Sequence, residues 1–128
     1  MLRSMLKSKI HRATVTQTAL NYEGSLSLDK DLIEAANLMP FEQIMVYNIS
    51  NGERFDTYVI EAASGSGMVC LNGAAARKGE PGDLIIIASY GLFDSQECLM
   101  GESRIVTVNS NNKIIEVITQ RWSNGSTQ

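Results

Sequence analysis

Asn51-Gly52 is the pair that most limits how this chain can fold. Asn-Gly readily adopts the left-handed angles of a two-residue turn, and such a turn joins antiparallel strands. Glu42–Ile49 before it and Arg54–Ala62 after it both read as strands, so the pair predicts a hairpin. On the second strand Arg54, Asp56, Tyr58 and Ile60 share one face, and Phe55, Thr57 and Val59 share the other. Leu2–Thr16 reads as one or two strands, Met68–Leu71 as a short one, and Ile105–Asn109 with Ile114–Thr119 as a hairpin around Asn111-Asn112. Ile85, Ile86 and Ile87 stand in succession within Asp83–Tyr90, the pattern of a central strand buried on both faces. Helix is scarce. Ser27 or Asp29 can cap a short one with apolar positions Leu32, Ile33, Ala35, Ala36 and Leu38, and Asp94–Met100 offers a further turn. Asn21–Ser27 is polar and reads as a loop. About seven short strands with this spacing predict a mainly β chain, a small barrel or sandwich.

At 128 residues the chain suits one domain, 1–128, and 44% hydrophobic against 20% charged residues excludes disorder. The net charge of −3 does not favour nucleic acid, although the first twelve residues hold Arg3, Lys7, Lys9, His11 and Arg12 without an acid. Cys70 and Cys98 lack the spacing of a disulfide framework or a zinc site and read as ordinary thiols of a reducing compartment. No apolar run reaches membrane-spanning length and the N-terminus lacks the apolar core of a secretory signal, so a cytoplasmic protein is expected. The polar residues 120–128 read as a flexible tail.

One histidine rules out a multi-histidine metal site, and no nucleotide-binding glycine loop is present. What stands out is Tyr22-Glu23-Gly24-Ser25. Glycine leaves its carbonyl unshielded and its backbone free. A serine hydroxyl can then attack the preceding carbonyl, giving a hydroxy-oxazolidine and then an ester. β-Elimination leaves dehydroalanine, and hydrolysis gives a pyruvoyl group and ammonia, with the chain cut at Gly24–Ser25. Gly-Ser pairs are also ordinary turn material.

Five segments occur in one order: Lys9-Ile10-His11-Arg12, Tyr22-Glu23-Gly24-Ser25, Asn51-Gly52-Glu53-Arg54-Phe55-Asp56-Thr57-Tyr58, Asn72-Gly73-Ala74-Ala75-Ala76 and Gly82-Asp83-Leu84-Ile85-Ile86-Ile87-Ala88. That series resembles the pyruvoyl-dependent L-aspartate 1-decarboxylases of bacterial pantothenate biosynthesis, from Met1 to about Tyr90. The resemblance implies a six- to seven-stranded double-psi β-barrel with short helices. It also implies a homotetramer and self-cleavage into a β chain, 1–24, and an α chain, 25–128. L-Aspartate would be the substrate and β-alanine the product. The pyruvoyl group from Ser25 would be the sole cofactor, with no metal and no pyridoxal phosphate (PLP). An accessory protein for maturation is compatible with it.

Each implied residue has a chemical task. Ser25 would supply the ketone that condenses with the substrate amine as a Schiff base and accepts carbanion density. Arg54 can grip a carboxylate in a bidentate fork, and Lys9 adds a second cation for a dicarboxylate. Tyr58 can return a proton after CO₂ leaves. Thr57 offers a hydroxyl to the oxyanion of processing and later to substrate. Gly73, Ala74 and Ala75 let backbone approach a ligand, Asn72 can fix that loop or bond the pyruvoyl carbonyl, and His11 and Tyr22 would shape the rim. Thr57 and Tyr58 point to opposite faces of one strand. They share a site only if the strand is distorted or the site spans two subunits. The alternative reading is a small β-barrel interaction module that binds nucleic acid through the basic N-terminal strand, or binds a metabolite. A steep salt dependence of nucleic-acid binding would single it out.

Overall fold

The computed structural model describes residues 1–123. Nine strands run β1 (Arg3–Thr14), β2 (Gln17–Ala19), β3 (Ser25–Asp29), β4 (Gln43–Asn48), β5 (Arg54–Ala62), β6 (Val69–Asn72), β7 (Leu84–Phe93), β8 (Glu102–Val108) and β9 (Ile114–Arg121). Two short helices, α1 (Lys30–Ala35) and α2 (Ser95–Met100), and a 3-10 helix over Gly73–Lys78 complete the chain.

The strands form one sheet in the order β2-β6-β3-β5-β4-β7-β1-β8-β9. β1 passes into β2 across only Val15 and Thr16, so the strand that pairs with β7 continues as the strand that pairs with β6. Val15 N–H donates to the Asp83 carbonyl and Thr16 N–H to that of Val69, at 2.9 and 2.8 Å, which carries the pairing across the join. Six strand positions thereby close into a barrel, and the β8–β9 hairpin hangs from β1 outside it. The expected mainly β barrel with short helices is what the chain forms. Parallel pairs (β1 with β8, β2 with β6, β3 with β5) sit among the antiparallel ones.

The core is filled by one parity of each wall strand: Leu26 and Leu28, Ile44 and Val46, Val69 and Leu71, Ile85 and Ile87 are all 0–1% exposed. Ile86 is half-buried on the other face of β7, so that strand is central in the sheet but not buried on both sides. Asp29 caps α1 by accepting from Asp31 N–H at 2.8 Å, one of the two caps the sequence allows. The hairpin at Asn51-Gly52 forms with Tyr47 opposite Arg54, but its loop is Ile49–Gly52 rather than two residues: Asn48 N–H donates to the Glu53 carbonyl at 2.8 Å, and of the Asn-Gly pair Gly52 alone is left-handed, at φ +80.

Two segments depart from the sequence reading. Residues 25–27 are not loop but the start of β3, whose partners are β5, some 33 residues on, and β6, some 45 on. Nothing local announces hydrogen bonds drawn from that far away. At the other end, Gln120 and Arg121 still belong to β9, and Trp122 packs edge-on against Phe93 at 4.9 Å and donates to Ser103 Oγ at 2.8 Å. The rest of the expected tail, 124–128, lies outside the described residues.

Candidate active site

Ser25 opens β3 and is only 1% exposed. Directly opposite on β6 stands Asn72, whose Nδ2 donates to Ser25 Oγ at 2.9 Å. The same Nδ2 donates its other hydrogen to Ser27 Oγ at 2.8 Å, while Asn72 Oδ1 accepts from Cys70 Sγ at 3.1 Å. Ser27 and Cys70 are themselves opposite each other. Two cross-strand pairs, Ser25/Asn72 and Ser27/Cys70, thus form a polar patch back to back with the apolar pairs Leu26/Leu71 and Leu28/Val69. The period of two in a strand puts the core on one face and this patch on the other.

β3 pairs with β5 only over Leu26–Asp29 against Val59–Ala62. Carried back along the same parallel register, Ser25 falls beside Tyr58 and Gly24 beside Thr57. The Arg54–Tyr58 half of β5 is therefore paired with β4 on one edge and free of β3 on the other. A cavity of about 340 Å³ opens along that free edge, lined by Gly24, Thr57, Tyr58, Ala74, Ala75 and Lys78, with Phe55 and Asp56 completing the wall. Both faces of the strand border this gap, so Thr57 and Tyr58 reach one space without distortion. Tyr58 also stacks on Phe41, with ring centroids 6.0 Å apart.

Gly73 is where glycine is required. Its φ is +63, and a Cβ built there would lie 2.8 Å from Gly24 Cα, Gly24 N and the Tyr22 carbonyl oxygen. The missing side chain is what allows the Tyr22–Gly24 segment to rest on the start of the 3-10 helix. The small residues Ala74 and Ala75 follow at the cavity wall.

The structure thus gathers Gly24, Ser25, Thr57, Tyr58, Asn72, Gly73, Ala74 and Ala75. Tyr22 joins through its carbonyl, its side chain being exposed. Arg54 lies on the Tyr58 face of β5, exposed, with its guanidinium 4.1 Å above the Tyr47 ring. The Tyr47 and Tyr90 hydroxyls are 2.8 Å apart, and that hydrogen bond, with burial, raises the Tyr90 pKa above its ordinary value. Lys9 and His11 do not line this cavity. They sit on β1, separated from β5 by β4 and β7. His11 borders a different hollow with Arg12, Thr14 and Thr107, and its Nδ1 is buried without a partner. Burial, then the charges of Lys9 and Arg12, hold its pKa below the usual histidine value.

Sequence reasoning missed Cys70, Ser27 and Lys78. For the first two a signal existed: 25/27 and 70/72 are pairs with strand spacing. It becomes informative only once β3 is known to face β6.

A family model described as aspartate decarboxylase matches residues 1–115. An aspartate 1-decarboxylase of Syntrophus aciditrophicus is 56% identical over 114 residues, which cover 89% of this chain and 98% of that protein. Those of Pelotomaculum thermopropionicum and Acetivibrio thermocellus are each 54% identical over 117 residues, covering 91% of this chain and 89% and 93% of theirs.

Proposed function

The chain belongs to the aspartate decarboxylase family, and on that premise we propose that it converts L-aspartate to β-alanine and CO₂ for pantothenate, and hence coenzyme A, synthesis. It does so after cutting itself between Gly24 and Ser25. The observation that carries this reading is the buried Ser25 hydroxyl, held by Asn72 and next in the chain to Gly24, which lines a cavity with Thr57 and Tyr58.

In maturation, Ser25 Oγ adds to the Gly24 carbonyl carbon, and the Thr57 hydroxyl, beside Gly24 in register, donates to the oxygen that gains charge. The C–N bond breaks to leave an ester on Oγ and a free amine on Ser25. Loss of the Ser25 Cα proton then breaks the Cβ–Oγ bond, and Oγ departs as part of the new Gly24 carboxylate. The dehydroalanine left behind takes up water and releases ammonia. The residues present suit a ketone at position 25: Asn72 aims an N–H there, and the absent Cβ of Gly73 leaves room for the cut end at Gly24.

That ketone supplies the electron sink that decarboxylation of an amino acid requires. The other groups bind and deliver protons. Arg54, always charged, grips a substrate carboxylate. Tyr58, on the same face as Ser25 by register, holds the proton for the carbon that CO₂ leaves. Thr57 and the backbone of Gly73, Ala74 and Ala75 confine the substrate, and Tyr22 shapes the rim. Lys9 and His11, remote within one chain, join the site from a neighbouring subunit in a homotetramer with sites at subunit boundaries. No helix of the described residues is long and apolar enough to cross a membrane. The cytoplasmic location is part of the proposal and rests on Cys70 and Cys98 being unpaired thiols, as in a reducing compartment.

The test is the mass of the purified chain together with CO₂ release from L-aspartate. The expected result is two fragments divided at Gly24–Ser25, the larger one reactive toward hydroxylamine as a ketone. Ser25→Ala is expected to abolish cleavage and CO₂ release together. Cleavage that survives in that variant would overturn the mechanism.

A further inference from the structure

Asn72 is a buried amide with an unlike pair of ends, and which end faces Ser25 decides its chemistry. As placed, Nδ2 donates to Ser25 Oγ and Ser27 Oγ, which uses both of its hydrogens. A half-turn of the amide would instead present Oδ1 to the two serine hydroxyls, and both could donate to it. The serines alone therefore do not choose between the two orientations. Among the described residues, the contact that favours one of them is at the other end, where the Cys70 thiol, 2% exposed, donates to Oδ1 at 3.1 Å; reversed, the amide would set two hydrogens against one weakly accepting sulfur and leave one unmatched. In a buried site an unmatched amide end is costly, so one weak donor suffices to bias the choice.

We infer that Cys70 is a positioning residue for self-cleavage: its S–H fixes the orientation of Asn72, and so keeps an N–H, not a carbonyl oxygen, on Ser25 Oγ. This rests on the self-cleavage reading. The direction of the effect follows from where charge goes. When the Cβ–Oγ bond breaks, Oγ leaves as a carboxylate oxygen of Gly24 and takes up the electron pair. An N–H donor already on that atom stabilises it as charge develops. The reversed amide would set its own oxygen against that charge. Cys70 does not line the cavity, and its register partners are Ser27 on β3 and Gln17 on β2.

The experiment follows cleavage of freshly made full-length chain by intact mass in wild type, Cys70→Val and Cys70→Ser. Cys70→Ala is included in case valine overfills the position. Removing the donor is expected to slow cleavage about tenfold, the scale of one hydrogen bond to a developing charge, with little change in Tm. The uncut variant is expected to accumulate ester, seen as chain that hydroxylamine splits at Gly24–Ser25. Cys70→Ser, which keeps a donor, is expected to restore the rate to within about threefold. In an Asn72→Ala background, Cys70→Val should add nothing, because the two act as one unit. Cleavage at the wild-type rate in both Val and Ala variants, equal slowing in the Ser variant, or an additive effect on Asn72→Ala would each overturn the inference. Hydrogen exchange of the Asn72 side-chain amide gives a readout that needs no cleavage: it is expected to quicken in Cys70→Val and not in Cys70→Ser. If wild-type chain stayed uncut, the self-cleavage reading would fall, and the exchange comparison would still decide what Cys70 does to Asn72.

Discussion

Strand β9 is much richer in β-branched residues than the β3–β6 wall, yet it is the wall that is buried. Ser25–Asp29 and Val69–Asn72 are buried at every position except the half-buried Ser27. Ile114–Arg121, with Ile114, Ile115, Val117 and Ile118, is exposed at all eight positions. The wall strands each have two neighbours, whereas β9 pairs with β8 alone and forms an edge of the sheet. Hydrophobicity and β-branching make a strand likelier but do not say which strand becomes a wall. The family match, 1–115, takes in the whole barrel and only the first two residues of β9. Self-cleavage chemistry suits the wall because the Ser25 hydroxyl there is held by Asn72 across the ladder and shielded from water, as it could not be on the exposed β9.

The sharpest way to break this contrast is Gly73→Ala. The added Cβ meets three atoms of the Tyr22–Gly24 segment at 2.8 Å, and the backbone stays at φ +63. The left-handed angle alone costs about 1–2 kcal/mol for a non-glycine residue. The larger effect is displacement of Gly24, and a misplacement of about 1 Å can cost about a hundredfold in rate. Cleavage slowed at least that far, in a chain whose circular dichroism is native, is the expected outcome. A normally processed Gly73→Ala chain would show that Gly24 need not rest where it does.

Asn112 tests the other side of the comparison. It sits in the β8–β9 turn at φ +61 and is 1% exposed. Its side chain accepts from Thr14 N–H at 2.8 Å and donates to the Thr14 and Gly67 carbonyls at 2.9 and 2.8 Å. Those three bonds pin the hairpin to the barrel. Asn112→Ala strands buried backbone groups and is expected to lower unfolding free energy by about 2–3 kcal/mol in a denaturant melt. Cleavage is expected to hold within about threefold, a shift of less than 1 kcal/mol in barrier. Loss of processing in step with stability would show that the hairpin is part of the machinery.

Much of this was legible in advance, unevenly. The hairpin at Asn51-Gly52, the Asp29 cap and the central place of β7 follow from local chemistry, and all three form. β3 was not legible, because Ser25–Leu28 carries a polar and an apolar face whose partners lie far along the chain. Asn72 and Gly73 were visible as a ligand loop. That Gly73 makes room for Gly24, and that Cys70 stands behind Asn72, depend on a register no short-range pattern encodes. The Thr57/Tyr58 difficulty dissolved for the same reason: the gap between β5 and β3 is a property of pairing, not of either residue. Arg54 reads clearly as a cation on the Tyr58 face, yet Lys9 and His11 lie elsewhere in one chain.

A smaller effect is expected on β9 itself. Ile115 is 64% exposed, so Ile115→Thr should change stability by no more than about 0.5 kcal/mol in dilute protein. A loss of several times that, growing with protein concentration, would mean that this edge is covered by another subunit and that the contrast with the wall is partly a contrast between chains.

The smallest effect concerns the seam between the two regions, where His11 on β1 stands in register with Thr107 on β8. Burial and the neighbouring Lys9 and Arg12 lower its pKa below 6.5, so the folded chain resists the proton that the unfolded chain accepts. Between the ordinary value and the lowered one, the unfolded state binds more protons. Stability therefore falls as pH drops below 6.5 and levels off once the folded histidine is also charged. Glu42 acts in a lower window. Burial raises its pKa, but bonds from Ser89, the Met39 backbone and Lys7 outweigh that and leave it below 4.5, so its contribution is lost only as pH falls further. Thermal melts between about pH 7.5 and 5 should show a shallow decline that His11→Gln removes, well clear of the carboxylate range. A decline that persists unchanged in His11→Gln would assign the proton to another group and take His11 out of the seam's electrostatics.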